Sequence, residues 1–193
     1  MQRLVTFGCS MTYGQSLETS EHAWPSVVAT HFNVPLANQG VCGNSNLAIL
    51  NDVLKFNFLD GDAVVVMWSF TGRDLLFGKT GFFGEQQLTP IGIWQDTVLS
   101  NSWAQVHSES DIATRTWLYV HHATLYLKSI GVTAYNVFAD YSKVKKYKPK
   151  YLNLEFYKIK TRTMLPPDKA SDNMHPGPKT HKLIASEIIN IIK

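Results

Sequence analysis

The chain has 193 residues, 45% of them hydrophobic and 17% charged, with a formal net charge of +3. That length supports one domain with a sizeable core, and the small positive excess does not argue for a nucleic-acid binder. No apolar run approaches the roughly 18 residues of a membrane-spanning helix, and two cysteines, Cys9 and Cys42, are too few for a disulfide framework.

Met1-Gln2-Arg3 leads directly into Leu4-Val5-Thr6-Phe7, a short β-prone run ended by Gly8. No leader precedes it, so a cytoplasmic location is expected. Ser10 then falls on the turn at the carboxyl end of the first strand, the edge of an open α/β sheet where ligands bind. His22 to Phe32 predicts a helix with Pro25 in its first turn. Val34-Pro35-Leu36-Ala37 predicts a second strand, followed by Asn38 to Ser45 and a helix whose apolar face runs through Leu47, Leu50, Val53 and Leu54. Glycine in that turn permits positive φ and close backbone approach to a ligand, so the Gly43 N–H could meet an oxyanion. The plainer alternative is a tight turn at Gly40 and Gly43, with Asn44 or Ser45 capping the helix.

Asp62 to Met67 predicts a central strand, and Trp68-Ser69-Phe70-Thr71-Gly72-Arg73 follows it. An insertion from about 74 to 109 has little periodicity and reads as an elaborated loop. Its Phe77, Phe82, Phe83, Trp94 and Trp103 either line a cleft for a sugar ring or acyl chain or belong to the core. Ser110 to Ile130 predicts a long helix stopped by Gly131, and Val132 to Phe138 a further strand. A second insertion, about 140–165, is basic: Lys143, Lys145, Lys146, Lys148, Lys150, Lys158, Lys160 and Arg162 suit an acidic glycan, nucleic acid or an anionic surface, or form a solvated face. Asp172-Asn173-Met174-His175-Pro176 precedes the last amphipathic helix, Leu183 to Ile192. This order predicts a single three-layer α/β/α sandwich with a central parallel sheet.

A serine hydroxyl attacks at neutral pH only with a base in reach, usually an imidazole oriented by a carboxylate. Asp172 and His175 offer both on one short loop, and Ser10 offers the hydroxyl near the other end of the chain. Each has a plainer role: Ser10 as a turn or capping residue, Asp172 as an Asx-turn residue, His175 as a solvated loop histidine. Cys9 is a rival nucleophile. His121 and His122 are adjacent on a helix and point about 100° apart, so they do not suit one metal ion, and no cofactor is expected.

Together the segments resemble the SGNH (GDSL-type) hydrolase superfamily of esterases, lipases and carbohydrate acetylesterases. Phe7-Gly8-Cys9-Ser10 resembles the first block of that family, with Cys9 in place of its usual Asp; Asn38 to Ser45 resembles the second and Asp172-x-x-His175-Pro176 the last. The resemblance implies Ser10 as nucleophile, His175 as general base then acid, Asp172 as its orienter, and oxyanion donation from the Ser10 and Gly43 N–H groups. The third block departs: the family's Gly-x-Asn-Asp is replaced by Trp68 to Arg73, similar to a divergent branch that includes bacteriophage-encoded members. Ser69, Thr71 or Arg73 could replace the missing Asn donor. Trp68 and Arg73 are also candidate substrate contacts, Arg73 for a carboxylate or phosphate.

The expected function is a serine esterase removing a small O-acyl group such as acetyl, with a small ester or an acylated glycan as substrate and nucleic acid set aside. The alternatives are an inactive binding or structural module with the same fold, or an acyltransferase or thioesterase using the same triad.

Overall fold

β1 (Arg3–Gly8) lies inside a parallel sheet between β2 (Leu36–Gly40) and β3 (Asp62–Trp68), and β6 (Thr133–Phe138) extends the sheet beyond β3, giving the order β2-β1-β3-β6. The register sets Gly8 against Gly40, Phe7 against Val66 and Trp68 against Phe138, so the carboxyl ends of all four strands share one edge. The short helix α6 (Tyr141–Val144) follows β6, and Tyr157 adds a single parallel bridge outside β6 at Val137. The computed structural model describes residues 1–79, 86–92, 97–152, 154–161, 163 and 165–192, with only the backbone of 75–79 and 86–91.

Side chains alternate across β3 with the period of two that a strand imposes. Val64, Val66 and Trp68 face α3 (Asn46–Lys55) and α5 (Glu109–Ser129), where Ile49, Leu50, Trp117, Val120 and Leu127 complete one core layer. Val65 and Met67 face α2 (Trp24–Phe32) and α7 (Pro178–Ile192), meeting Trp24, Val28, Ile184 and Ile188. Every residue of β3 is buried, as expected of a parallel strand covered on both faces. The three-layer sandwich predicted from the element order is the fold observed.

The largest difference from the sequence reading is in the first insertion. It is an antiparallel hairpin, β4 (Arg73–Lys79) with β5 (Gln86–Gly92), followed by the helix α4 (Val98–Val106), rather than a loop. Gly78 and Pro90 interrupt its strands and hide the alternation, because both are weak strand residues. α4 begins at a capping box in which Thr97 Oγ1 accepts from Ser100 N–H and Ser100 Oγ accepts from Thr97 N–H. Trp103, read from sequence as either cleft-lining or core, is buried and donates its indole N–H to Asp74 (3.1 Å). Phe82, Phe83 and Trp94, like Arg162, lie outside the described residues, as does the side chain of Phe77.

α7 starts five residues earlier than its apolar periodicity indicates. Pro178 occupies its first position, which suits a residue with fixed φ and no N–H. Asp168 supplies the acceptor that the local sequence lacks, taking the N–H groups of Lys179 and Thr180 (both 2.8 Å) and the Thr180 hydroxyl (2.6 Å). No helix among the described residues is long and apolar enough to cross a membrane.

Candidate active site

Ser10 opens α1 (Ser10–Tyr13), a single turn folded back at the end of β1. Two glycines permit that close packing: a Cβ on Gly8 would lie 2.1 Å from Thr12 Oγ1, and one on Gly40 would lie 2.4 Å from the Tyr13 nitrogen. Asn38 ties the junction together, accepting from the Thr6 hydroxyl (3.1 Å) and Gly40 N–H (3.0 Å) and donating to the Thr12 carbonyl (3.0 Å). As the first helical residue, Ser10 has an N–H without an intrahelical acceptor. Cys9 packs with Trp24, Val28 and Ile184 in the core, whereas Ser10 lines a cavity. The rival nucleophile therefore faces the wrong side of the chain. Cys42 is exposed, both thiols are free, and partial burial, reinforced by Cys9, pushes the Cys42 thiol pKa up and so disfavours a reactive thiolate.

The Asp172–His175 loop is held by its own hydrogen bonds and by the turn that follows α1. Ala170 N–H donates to the His175 carbonyl (2.8 Å) and Asn173, at φ 56°, donates to the Ala170 carbonyl (3.0 Å). Gly177 N–H reaches the Asp168 carbonyl, and a Cβ on Gly177 would lie 2.5 Å from the Asp168 carboxylate. Ser16, itself at φ 65°, accepts from the Ser171 N–H (3.2 Å) and hydroxyl (2.9 Å) through its carbonyl and donates its own hydroxyl to Asp172 (2.8 Å). These contacts join residues more than 150 positions apart in sequence and anchor the histidine loop to the turn that follows α1.

Asp172 Oδ1 accepts from the Met174 and His175 N–H groups (2.9 Å each), and Oδ2 lies 2.6 Å from His175 Nδ1. The His175 N–H first, then the His175 ring, the Met174 N–H and the Ser16 hydroxyl, hold the Asp172 carboxyl well below the usual carboxylate range. Ionised, Asp172 can only accept, so Nδ1 of His175 carries a proton and the neutral ring presents its lone pair at Nε2. Among the described residues, no hydrogen bond links Ser10 to His175. The two line one cavity of about 430 Å³ with Met11, Phe70, Thr71, Arg73 and Met174, and such contacts commonly tighten only around a substrate.

The turn after β2 is fixed to β1 by Val41 N–H donating to the Gly8 carbonyl (3.1 Å), and Gly43 within it has φ 78° with open space where a side chain would be. Gly43 does not line the cavity. Ser45 caps α3 by accepting from Ala48 N–H. The next residue, Asn46, carries a role the sequence reading missed: its amide oxygen accepts from Ser69 N–H (2.6 Å) and its amide nitrogen donates to the Ser69 carbonyl (3.2 Å) and Thr116 Oγ1 (3.2 Å). Asn46 thus pins the loop that leaves β3. An Asn46→Ala substitution would strand the buried Ser69 N–H and carbonyl, and is expected to lower unfolding free energy by about 2 kcal/mol, read from urea denaturation.

This arrangement sorts the candidates for the third block. Trp68 is fully buried, donating its indole N–H to Asn136 (2.9 Å), so the ring belongs to the core and not to a substrate surface. Ser69 is buried, its N–H is taken by Asn46, and it lies outside the cavity lining. Thr71 and Arg73 do line the cavity; the Arg73 guanidinium lies 5.1 Å from the Phe70 ring centre and 3.4 Å from Ser69 Oγ. Within the described residues, no cluster of three or more His, Cys, Asp or Glu side chains could hold a metal ion.

Solved structures share this architecture over the whole chain. A member of the lipolytic G-D-S-L family from Veillonella parvula superposes with a TM-score of 0.58 at 12% identity, covering 99% of this chain and 98% of that one. TesA gives a TM-score of 0.60 at 8% identity, covering 100% and 98%. The chain has the SGNH-hydrolase fold. An acetyl xylan esterase from the rumen bacterium Butyrivibrio proteoclasticus is similar over 99% of this chain and 63% of its own, with a TM-score of 0.54 at 13% identity. No protein-family model matches the sequence, and no curated protein is similar to it in sequence. Within the SGNH fold, Ser10 opens the helical turn just after the first strand, the Gly43 turn follows the second, and the Asp172–His175 loop precedes the last helix.

Proposed function

We propose that the protein is a serine ester hydrolase. The observation that carries the reading is the shared cavity: Ser10 and His175 line it together, and Asp172 holds His175 Nδ1 from behind at 2.6 Å. His175 Nε2 takes the Ser10 proton as Oγ attacks the ester carbonyl. The carbonyl oxygen becomes an oxyanion held by the Ser10 N–H and by a donor from Thr71 or Arg73, which line the cavity with it, whereas the Gly43 N–H lies outside that lining. Collapse breaks the ester bond, and His175 returns the proton to the departing alcohol. Water, deprotonated by His175, then adds to the acyl-enzyme and releases the acid and free Ser10.

A small acyl group such as acetyl, borne on a carbohydrate, is the substrate we favour, on the structural likeness to an acetyl xylan esterase and on a cavity of modest volume. A fluorophosphonate probe tests the chemistry without knowledge of the natural ester. Wild-type protein is expected to gain one phosphonyl adduct on the peptide containing Ser10, and His175→Ala protein to label far more slowly. An unlabelled Ser10 in folded wild-type protein would leave a binding module as the better account.

A further inference from the structure

A second cavity, of about 550 Å³, abuts the first, and Asp140 and Thr163 belong to the walls of both. Its apolar side is Ala139, Ile159 and Leu165, and Lys145, Lys158 and Lys160 stand around it. The three aliphatic hydroxyls on its wall are already committed. Thr163 Oγ1 donates to the Ala139 carbonyl (2.5 Å), Thr161 Oγ1 donates to Glu187, and Ser142 Oγ donates to Asp140 (2.5 Å). The carboxylates are engaged too: Asp140 also accepts from Ser142 N–H, and Glu187 also takes the N–H groups of Lys160 and Thr161. Lys143, on the wall of the first cavity, lies 3.9 Å from Glu109, whereas among the described residues Lys145, Lys158 and Lys160 form no ion pair. The cationic donors left to a ligand are therefore three ammonium groups, over an apolar floor and beside the ring of Tyr141.

From this we infer that the second cavity is a subsite for an anionic group, carboxylate or phosphate, on the molecule whose ester is cleaved beside Ser10. Ammonium groups on flexible stems select charge more than shape, which suits either anion, and the apolar floor suits the ring or chain that carries it. A neutral, hydroxyl-rich ligand would find few open partners here. A nucleic-acid surface is less favoured, because Glu109, Glu187 and Asp140 interrupt the lysines and the net charge of the chain is only +3.

The inference rests on the ester-hydrolase reading, but its test does not need turnover. Ser10→Ala protein is titrated with glucuronate, inorganic phosphate and glucose, with and without the added substitutions Lys145→Glu and Lys158→Glu. These lysines are exposed, so the charge reversals leave the core intact. At least one anion is expected to bind about tenfold more tightly than glucose, and the double substitution to erase that difference. Glucuronate ahead of phosphate identifies a carboxylate site, and the reverse order a phosphate site. Equal binding of all three, or a preference that survives the charge reversal, overturns the subsite. So does tighter binding of an oligothymidylate that falls steeply with salt and is lost in the same variants, which would mark a nucleic-acid surface. Phosphonate-labelled Ser10 without anion preference refutes the subsite alone, and anion preference with unlabelled Ser10 refutes the ester-hydrolase reading alone.

Discussion

Ser10→Ala protein is expected to hydrolyse p-nitrophenyl acetate at least about a thousandfold more slowly than wild type, and His175→Ala to lose a similar factor rather than add to it, since nucleophile and base act as one unit. Asp172→Asn is the sharper variant. Asn keeps an oxygen for the Met174 and His175 N–H groups but turns an NH₂ toward His175 Nδ1, where the carboxylate oxygen lay at 2.6 Å. Nδ1 must then accept, the proton moves to Nε2, and the base facing Ser10 is lost while the loop stays in place. The expected cost is about a thousandfold or more in kcat with little change in KM. Urea denaturation of each variant checks that the fold survives. Turnover that persists in Ser10→Ala would remove the serine mechanism, and because Cys9 is packed in the core, attention would pass to a site elsewhere.

What could be read from the sequence follows the range of the interactions involved. β1, β3, α5 and the last helix carry their own periodicity, so local pattern found them. The order strand-Gly-x-Ser first and Asp-x-x-His-Pro last located the candidate triad. The partners that hold it in place were invisible for the opposite reason. Ser16 bonds Asp172 from 156 positions away, and Asn46 bonds Ser69 across 23. Nothing around Ser16 or Asn46 distinguishes either from a surface turn or an ordinary first-turn helix residue. The hairpin β4–β5 failed for a local reason, since its Gly and Pro residues disguise the alternation that pairing imposes. The basic insertion was legible as charge but not as a cavity, because Lys145 and Lys158, 13 positions apart, share one wall only in the folded chain.

The stability of the protein is expected to fall by about 3 kcal/mol between pH 6.5 and 4 through one residue, His181. Its ring is buried in α7, and Nδ1 accepts from Trp24 N–H (3.1 Å) at the start of α2, so the neutral tautomer is built into the contact between these two helices. Burial pushes its pKa down to about 4, with His175 acting in the same direction and Asp168 against it. In the unfolded chain the ring titrates near 6.5. Between the two values the unfolded state binds more protons, so stability rises with pH through this window. The contribution is fully present above about pH 6.5 and is lost as pH falls through 4. Asp172 and Asp168 act in a separate, lower window. Burial raises the Asp168 carboxyl, but the Thr180 hydroxyl and the Lys179 and Thr180 N–H groups outweigh it, and both carboxyls lie below the ordinary range. Their contribution is present above about pH 4 and declines below it. Urea denaturation of wild type and His181→Asn at intervals from pH 8 to 4 separates the two. Asn can still accept from Trp24 N–H but does not titrate, so its stability should be nearly flat where wild type declines. Parallel curves for the two proteins across that window would show that His181 does not carry the acid sensitivity.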